Sequence, residues 1–167
     1  TKRDLAAYFG PSAESLRKNA VSAVFLGSFF DWDVEKTHRV SKDHGFLSNT
    51  QGPKTGLYNY ADIDCDFISI HHWMKWYKFG FTRLMDNLSL EIRRGRLSRS
   101  EAIEIVRQRG AEFPESDIEK FCRFVGIEQA QFFHIAETFR NKSVWSGSET
   151  YWWIPDFLID DFDWNKQ

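Results

Sequence analysis

Cysteine is scarce. Cys65 and Cys122 are the only two in a chain of 167 residues, and they stand far apart without partner-like neighbours. That excludes a disulfide-stapled secreted scaffold and fits free thiols in a reducing cytoplasm. No apolar run approaches the roughly 20 residues that cross a bilayer, and no signal peptide is expected. Formal net charge is −2, so no global basic field points to nucleic acid. The spacings CxxC, HExxH, GxSxG and GxxxxGKS/T are all missing. His71 and His72 are adjacent, and on a helix adjacent side chains diverge by about 100°. They cannot share a metal as an i, i+4 pair can, and no metal site is expected.

Aromatic residues, in contrast, are abundant. They make up 17% of the chain, with sixteen Phe and seven Trp. Such a composition excludes a disordered protein and implies an enclosed core or a partner-facing apolar surface. KWYKFGFTR interleaves basic and aromatic residues as single-strand binders do, but its aromatics fall on buried helix faces. No nucleic-acid partner is expected.

The organising stretch covers residues 66–94. Phe67, Ile70, Met74, Tyr77, Phe81, Leu84 and Leu88 alternate 3,4 without interruption, which predicts one long central helix. A second apolar set, Ile68, Trp73, Trp76 and Phe79, lies round the other side, so the helix should be enclosed. Between the faces runs a polar stripe: His71, Lys75, Lys78, Thr82, Asp86, Ser89, Arg93. Cationic groups on the wet seam of a buried helix suit an anionic ligand. The candidate anion-binding residues are His71, Lys75, Lys78, Arg83, Asp86 and Arg93. A solvated face with salt-bridged lysines is the plain alternative, with Asp86 quenching its neighbours. Gly80 inside this helix implies a kink or a close contact, since glycine there costs about 1 kcal/mol.

The expected fold is mainly α, a helical portion built on that central helix, with a residual strand–helix unit of an α/β domain before it. Residues 1–45 read as the end of an α/β nucleotide-binding domain. They hold two helical pieces broken at Gly10-Pro11, the second capped by Ser12, then a buried strand over 21–30 and a helix capped by Asp33 and stopped by Gly45. Residues 46–65 read as an irregular loop, long enough to be functional. Asp62, Asp64 and Asp66 after it are expected to cap the central helix rather than bind Mg²⁺. Residues 66–140 form the helical domain: Ser98 and Glu101 make a capping box, Gly110 and Gly126 act as stops, and Pro114 starts a helix. Its inward positions are Ile118, Phe121, Cys122 and Val125, then Phe132, Ile135 and Phe139, with His134 as a packing histidine. Residues 141–167 are an aromatic-acidic tail, neither helical nor low-complexity, whose tryptophans pack back or meet a partner. Asp160, Asp161 and Asp163 there make an acidic strip facing Lys/Arg groups. The chain begins at Thr1 without an initiator Met, already inside a helical pattern, and is expected to be the back end of a longer protein.

The run HHWMKWYKFGFTRLMDNLSLEIRRGRLSRSEAIEIVRQ, the upstream FLGSFFDWD and the tail resemble the C-terminal part of the bacterial N-acetyl sugar amidotransferases of lipopolysaccharide O-antigen and flagellar nonulosonic-acid pathways. The resemblance implies a cytoplasmic, ATP- and Mg²⁺-dependent reaction. The N-acetyl carbonyl of a nucleotide-linked sugar is activated by adenylation and attacked by ammonia from a glutaminase/synthase partner, giving an acetamidino group. That family's SGG-x-DS-type pyrophosphate loop and cysteine-rich zinc region have no counterpart here. The chain alone is therefore expected to be inactive, with its catalytic residues unassigned. Two other readings stay open: a non-catalytic helical docking module for partner subunits, and a helical binding protein for an anionic metabolite.

Overall fold

A computed structural model of the chain describes residues 3–5, 8–148 and 150–164. The chain divides into two compact units, Thr1–Phe46 and Leu47–Gln167. In the first unit, Ser12 caps α1 (Ala13–Lys18) by accepting from the Ser15 amide at 3.1 Å. Asp33 caps α2 (Val34–Asp43) by accepting from the Glu35 and Lys36 amides. The strand expected over 21–30 is not formed. The apolar run instead makes a short 3₁₀ turn, Leu26–Ser28, closed by Ser28 N–H to Phe25 O at 2.9 Å. A strand needs neighbours for its backbone donors and acceptors, and no described segment of this unit pairs with it. Phe25, Phe29, Phe30 and Trp32 are exposed, and neither helix buries a residue. The first helical piece falls partly outside the described residues; residues 3–5 form a turn.

The second unit is where the core sits. Residues 47–66 carry no helix or strand. They lead into α3 (Ile68–Phe79), α4 (Arg83–Arg93), α5 (Arg99–Arg109), α6 (Glu115–Val125) and α7 (Gln129–Glu137). A small antiparallel hairpin follows, β1 (Ser146–Ser148) with β2 (Tyr151–Trp153). The protein is mainly α.

The single helix expected over 66–94 is two helices. Gly80 takes the left-handed conformation at φ 73° and ends α3, its N–H bonding Trp76 O at 2.9 Å. Thr82 then caps α4 by accepting from the Met85 amide. The corner Gly80-Phe81-Thr82 spends about one turn's worth of sequence, which is why the apolar 3,4 count runs straight through it. The aspartates expected to cap this helix do not. Phe67 occupies the cap position without a side-chain bond, Asp66 is exposed, and Asp62 pairs with Arg83 at 3.1 Å.

Helix α3 serves two cores at once. Trp76 anchors a cluster with Leu84, Leu88, Val106, Trp145 and Phe162. Trp73, one turn back, anchors a second with Ile70, Ile118, Cys122 and Phe132. Both indoles are almost fully enclosed, and truncating such a side chain costs about 3–5 kcal/mol. Several residues expected inside are outside: Phe79, Phe81, Val125, Ile135 and Phe139 are exposed, as is His134. Only the stripe of α6 and α7 turned towards α3 is covered, a narrower arc than hydrophobicity alone suggests.

The tail does pack back. The Trp145 indole N–H donates to Trp76 O at 3.2 Å and Tyr77 O at 3.0 Å, and the Trp164 ring stacks on Trp76. Asp161 pairs with Arg107 at 2.7 Å. The Arg140 guanidinium lies over the rings of Tyr77, Trp145 and Trp152 at 4.0, 4.8 and 4.9 Å, with Glu137 as its ion partner. The described residues of the tail form no helix, as expected, and their regular structure is the short hairpin of β1 and β2.

A methyl group at Gly80 would meet Ile154 Cδ1 at 2.6 Å and Val144 Cγ1 at 2.9 Å, in a backbone conformation that L residues avoid. Gly80→Ala should therefore destabilise the fold by about 1–3 kcal/mol, read as a lower urea midpoint with unchanged slope.

Candidate functional site

The corner at Gly80 brings the candidate residues together differently from a straight stripe. Lys75 on α3 forms an ion pair with Asp86 in the first turn of α4, and its ammonium lies 4.6 Å from the Phe81 ring. Arg83, the first residue of α4, pairs through Nε with Asp62 of the loop at 3.1 Å. His71 is exposed one turn before Lys75, its ring 5.4 Å from that of His72. His71, Lys75, Arg83 and Asp86 thus share one patch. Lys78 does not join it, because its ammonium sits 4.8 Å over Phe139. Arg93 lies ten residues beyond Arg83 on α4, about 15 Å along the axis, and is exposed there.

Sequence reasoning missed the polar face that holds the loop. Arg83, Asn87 and Glu91 recur every fourth residue on α4, one above another. Arg83 binds Asp62, Asn87 Oδ1 accepts from the Leu57 amide at 2.9 Å, and Glu91 accepts from the Tyr58 hydroxyl. Glu91 also holds Arg96. Burial, with the Glu91 carboxylate beside it, pushes the Tyr58 phenol well above its ordinary range. Gly56 lies so close to Asn87 and Arg83 that a side chain there would collide with both. The i, i+4, i+8 repeat of polar residues is visible in the sequence, but nothing in that pattern marks it as facing the loop.

Glu112 fastens the same loop from the other side. Its carboxylate accepts from the Gly56 amide at 3.1 Å and the Leu84 amide at 3.3 Å, and it pairs with Arg109. Burial raises its pKa above the usual carboxylate range, an effect that Arg109 and the two amides oppose without cancelling. Lys54 donates to the Cys65 and Asp66 carbonyls at 2.9 and 2.7 Å and faces Asp117. His72 is buried, with Asp62, Arg83, His71 and Lys75 as the charged or titratable groups acting on it. Its Nδ1 has no partner, and burial lowers its pKa, so the ring is neutral at pH 7.

This arrangement offers side-chain cations and a neutral imidazole, and little backbone. The amides of Gly56, Leu57, Leu84 and Met85 are all engaged within the chain. They cannot cradle a pyrophosphate, which needs free consecutive N–H groups. The patch does not fit ATP as a resident group on its own. Among the described residues no three of His, Cys, Asp and Glu converge to hold a metal ion, and no helix is long and apolar enough to cross a membrane.

The family described as LPS biosynthesis protein WbpG-like, C-terminal domain, matches residues 55–157. The chain belongs to this family. The matched span opens at the Thr55-Gly56 contact on α4, contains every candidate residue and closes in the tail. The match to this WbpG-like domain thus takes in residues 55–66 of the irregular loop and the helices that they are stitched to. No curated protein sequence matches the chain.

Glu112 generates a pH prediction. A carboxyl whose folded pKa is raised contributes stability that is fully present below its unfolded pKa and lost as pH rises through the folded value. Glu112→Gln removes that dependence, so the stability difference between wild type and variant should narrow from about pH 4 to about pH 7. Urea denaturation at both values checks it. A gap that widens with pH would mean that Arg109 outweighs burial.

Proposed function

We propose that this chain is the C-terminal domain of an ATP-dependent N-acetyl sugar amidotransferase in lipopolysaccharide synthesis. The enzyme converts an acetamido group of a nucleotide-linked sugar to an acetamidino group, with ammonia from a glutaminase partner. On this reading the patch of His71, Lys75, Arg83 and Asp86 receives the anionic part of the nucleotide-linked sugar, and Lys78 and Arg93 stand outside it. The observation that carries the reading is the family match over residues 55–157, within which the cationic patch meets a loop held by both α4 and Glu112. ATP is placed outside this patch, because the backbone amides nearby are already engaged. No step of the reaction is assigned to a residue of this chain.

The pairing of Lys75 with Asp86 and of Arg83 with Asp62 is compatible with such a role. Partly exposed ion pairs contribute little stability, so an incoming anion can draw the cations away at small cost. Hydrogen bonds to charged groups contribute about 1.5–3 kcal/mol. Lys75→Ala and Arg83→Ala should each weaken binding of a UDP-N-acetyl sugar by about tenfold to a hundredfold in calorimetric titration. Melting temperatures should stay nearly unchanged. Equal affinity in both variants would reduce the patch to a solvated face. The 167-residue chain alone should release no AMP from ATP, and steady AMP release would overturn the placement of ATP outside this patch.

A further inference from the structure

A second concave surface lies between α4, α5 and the tail, adjoining that patch only at Phe81. Its volume is about 400 Å³, and its lining is almost wholly apolar. Helix α4 presents Met85, Leu88, Ser89 and Ile92 to it, and α5 presents Arg99, Ala102, Ile103 and Val106. Both sets follow the spacing i, i+3, i+4, i+7, so each helix contributes one continuous stripe. The tail from Ile154 to Ile159 forms the third wall. Apolar side chains continue past the rim: Phe81, Ile92 and Leu158 are exposed, Leu158 by 75%. An occupant confined to the cavity would leave them wet.

Two charged side chains line this groove, and they have opposite signs. Arg99 opens α5, beside the Arg94–Ser98 turn and therefore near Ile92. Asp156 follows by two residues Ile154, which touches Gly80 at the other end. The groove is thus apolar along its length, cationic at one end and anionic towards the other. From Met85 to Ile92 it spans about 10 Å, two turns of helix.

We propose that this groove is a docking site for an amphipathic helix of a partner protein. The occupant lays aliphatic residues at i, i+3, i+4 and i+7 between α4 and α5, where a third helix fits ridges into grooves. It runs with its N-terminus towards Asp156 and its C-terminus towards Arg99, so that its macrodipole and end charges match both. An acidic side chain near its C-terminus faces Arg99, and a basic one near its N-terminus faces Asp156. The opposite charges argue against a simple anionic amphiphile, which would satisfy Arg99 and place its apolar body beside Asp156. The site shares Phe81 with the anion patch, but neither proposal depends on the other.

The test uses the full chain and two synthetic, fluorescently labelled helical peptides of about fourteen residues, some four turns. One carries Lys near its N-terminus, Glu near its C-terminus and a leucine stripe between them; its twin has the two charges exchanged. Fluorescence anisotropy should show the first binding at least tenfold tighter than the twin. Arg99→Glu should abolish or invert that preference, and Leu158→Glu should weaken both peptides about tenfold. Both positions are exposed, so the variants fold, and circular dichroism confirms it. Equal binding of the twins, insensitivity to both substitutions, or displacement of the peptide by dodecanoate at equal concentration would overturn the proposal. So would self-association of the chain that Leu158→Glu abolishes, because a second copy would then be the occupant.

Discussion

The free carbonyls at the end of α3 are the constraint on which the rest of the second unit depends. A helix leaves its last carbonyls without intrahelical partners, and buried ones must be satisfied. Here Gly80 turns back to take Trp76 O, the Trp145 indole N–H reaches Trp76 O and Tyr77 O, the Asn141 amide takes Tyr77 O, and the Asn141 side chain takes Lys78 O. Three of these donors come from a segment more than sixty residues downstream. Satisfying α3 therefore pins the tail, and the pinned tail supplies Trp145, Phe162 and Trp164 to the cluster around Trp76.

The same corner builds the surfaces. By ending α3 and restarting at Thr82, it turns Arg83, Asn87 and Glu91 towards residues 47–66 and places Lys75 against Asp86. The other side of α4, Met85, Leu88 and Ile92, faces α5 and the tail. One helix thus divides its circumference between a polar ladder that orders an irregular loop and an apolar wall. Sequence features with no regular structure of their own become parts of one family domain in this way.

Much of this was legible in the sequence. Ser12, Asp33, Ser98, Gly110 and Gly126 mark helix ends by local chemistry, and each does so in the structure. Tryptophans too apolar to leave in water leave the tail two outcomes, packing back or meeting a partner, and Trp145 and Trp164 pack back. What was not legible depends on long-range geometry. Gly80 was recognised as costly within a helix, but periodicity could not distinguish a kink from a corner, because three residues at the corner preserve the 3,4 count. The apolar run over 21–30 has strand composition, yet a strand is a property of its neighbours. The contacts of Asn87 and Glu91 with the loop are not legible either, because residues 47–66, tied through Gly56 and Glu112, have no pattern that announces contact.

The account's central claim is that the Trp145 N–H on the α3 carbonyls holds the tail while the Trp73 cluster stands apart from it. Native-state hydrogen exchange on Trp145→Phe tests this directly, since the variant keeps a ring and removes the donor. A lost buried hydrogen bond costs about 1–3 kcal/mol, so protection of the amides in residues 146–153 should fall roughly tenfold or more. Amides of α6 and α7 should keep theirs. Unchanged protection in the hairpin, or an equal loss across both clusters, would contradict the account.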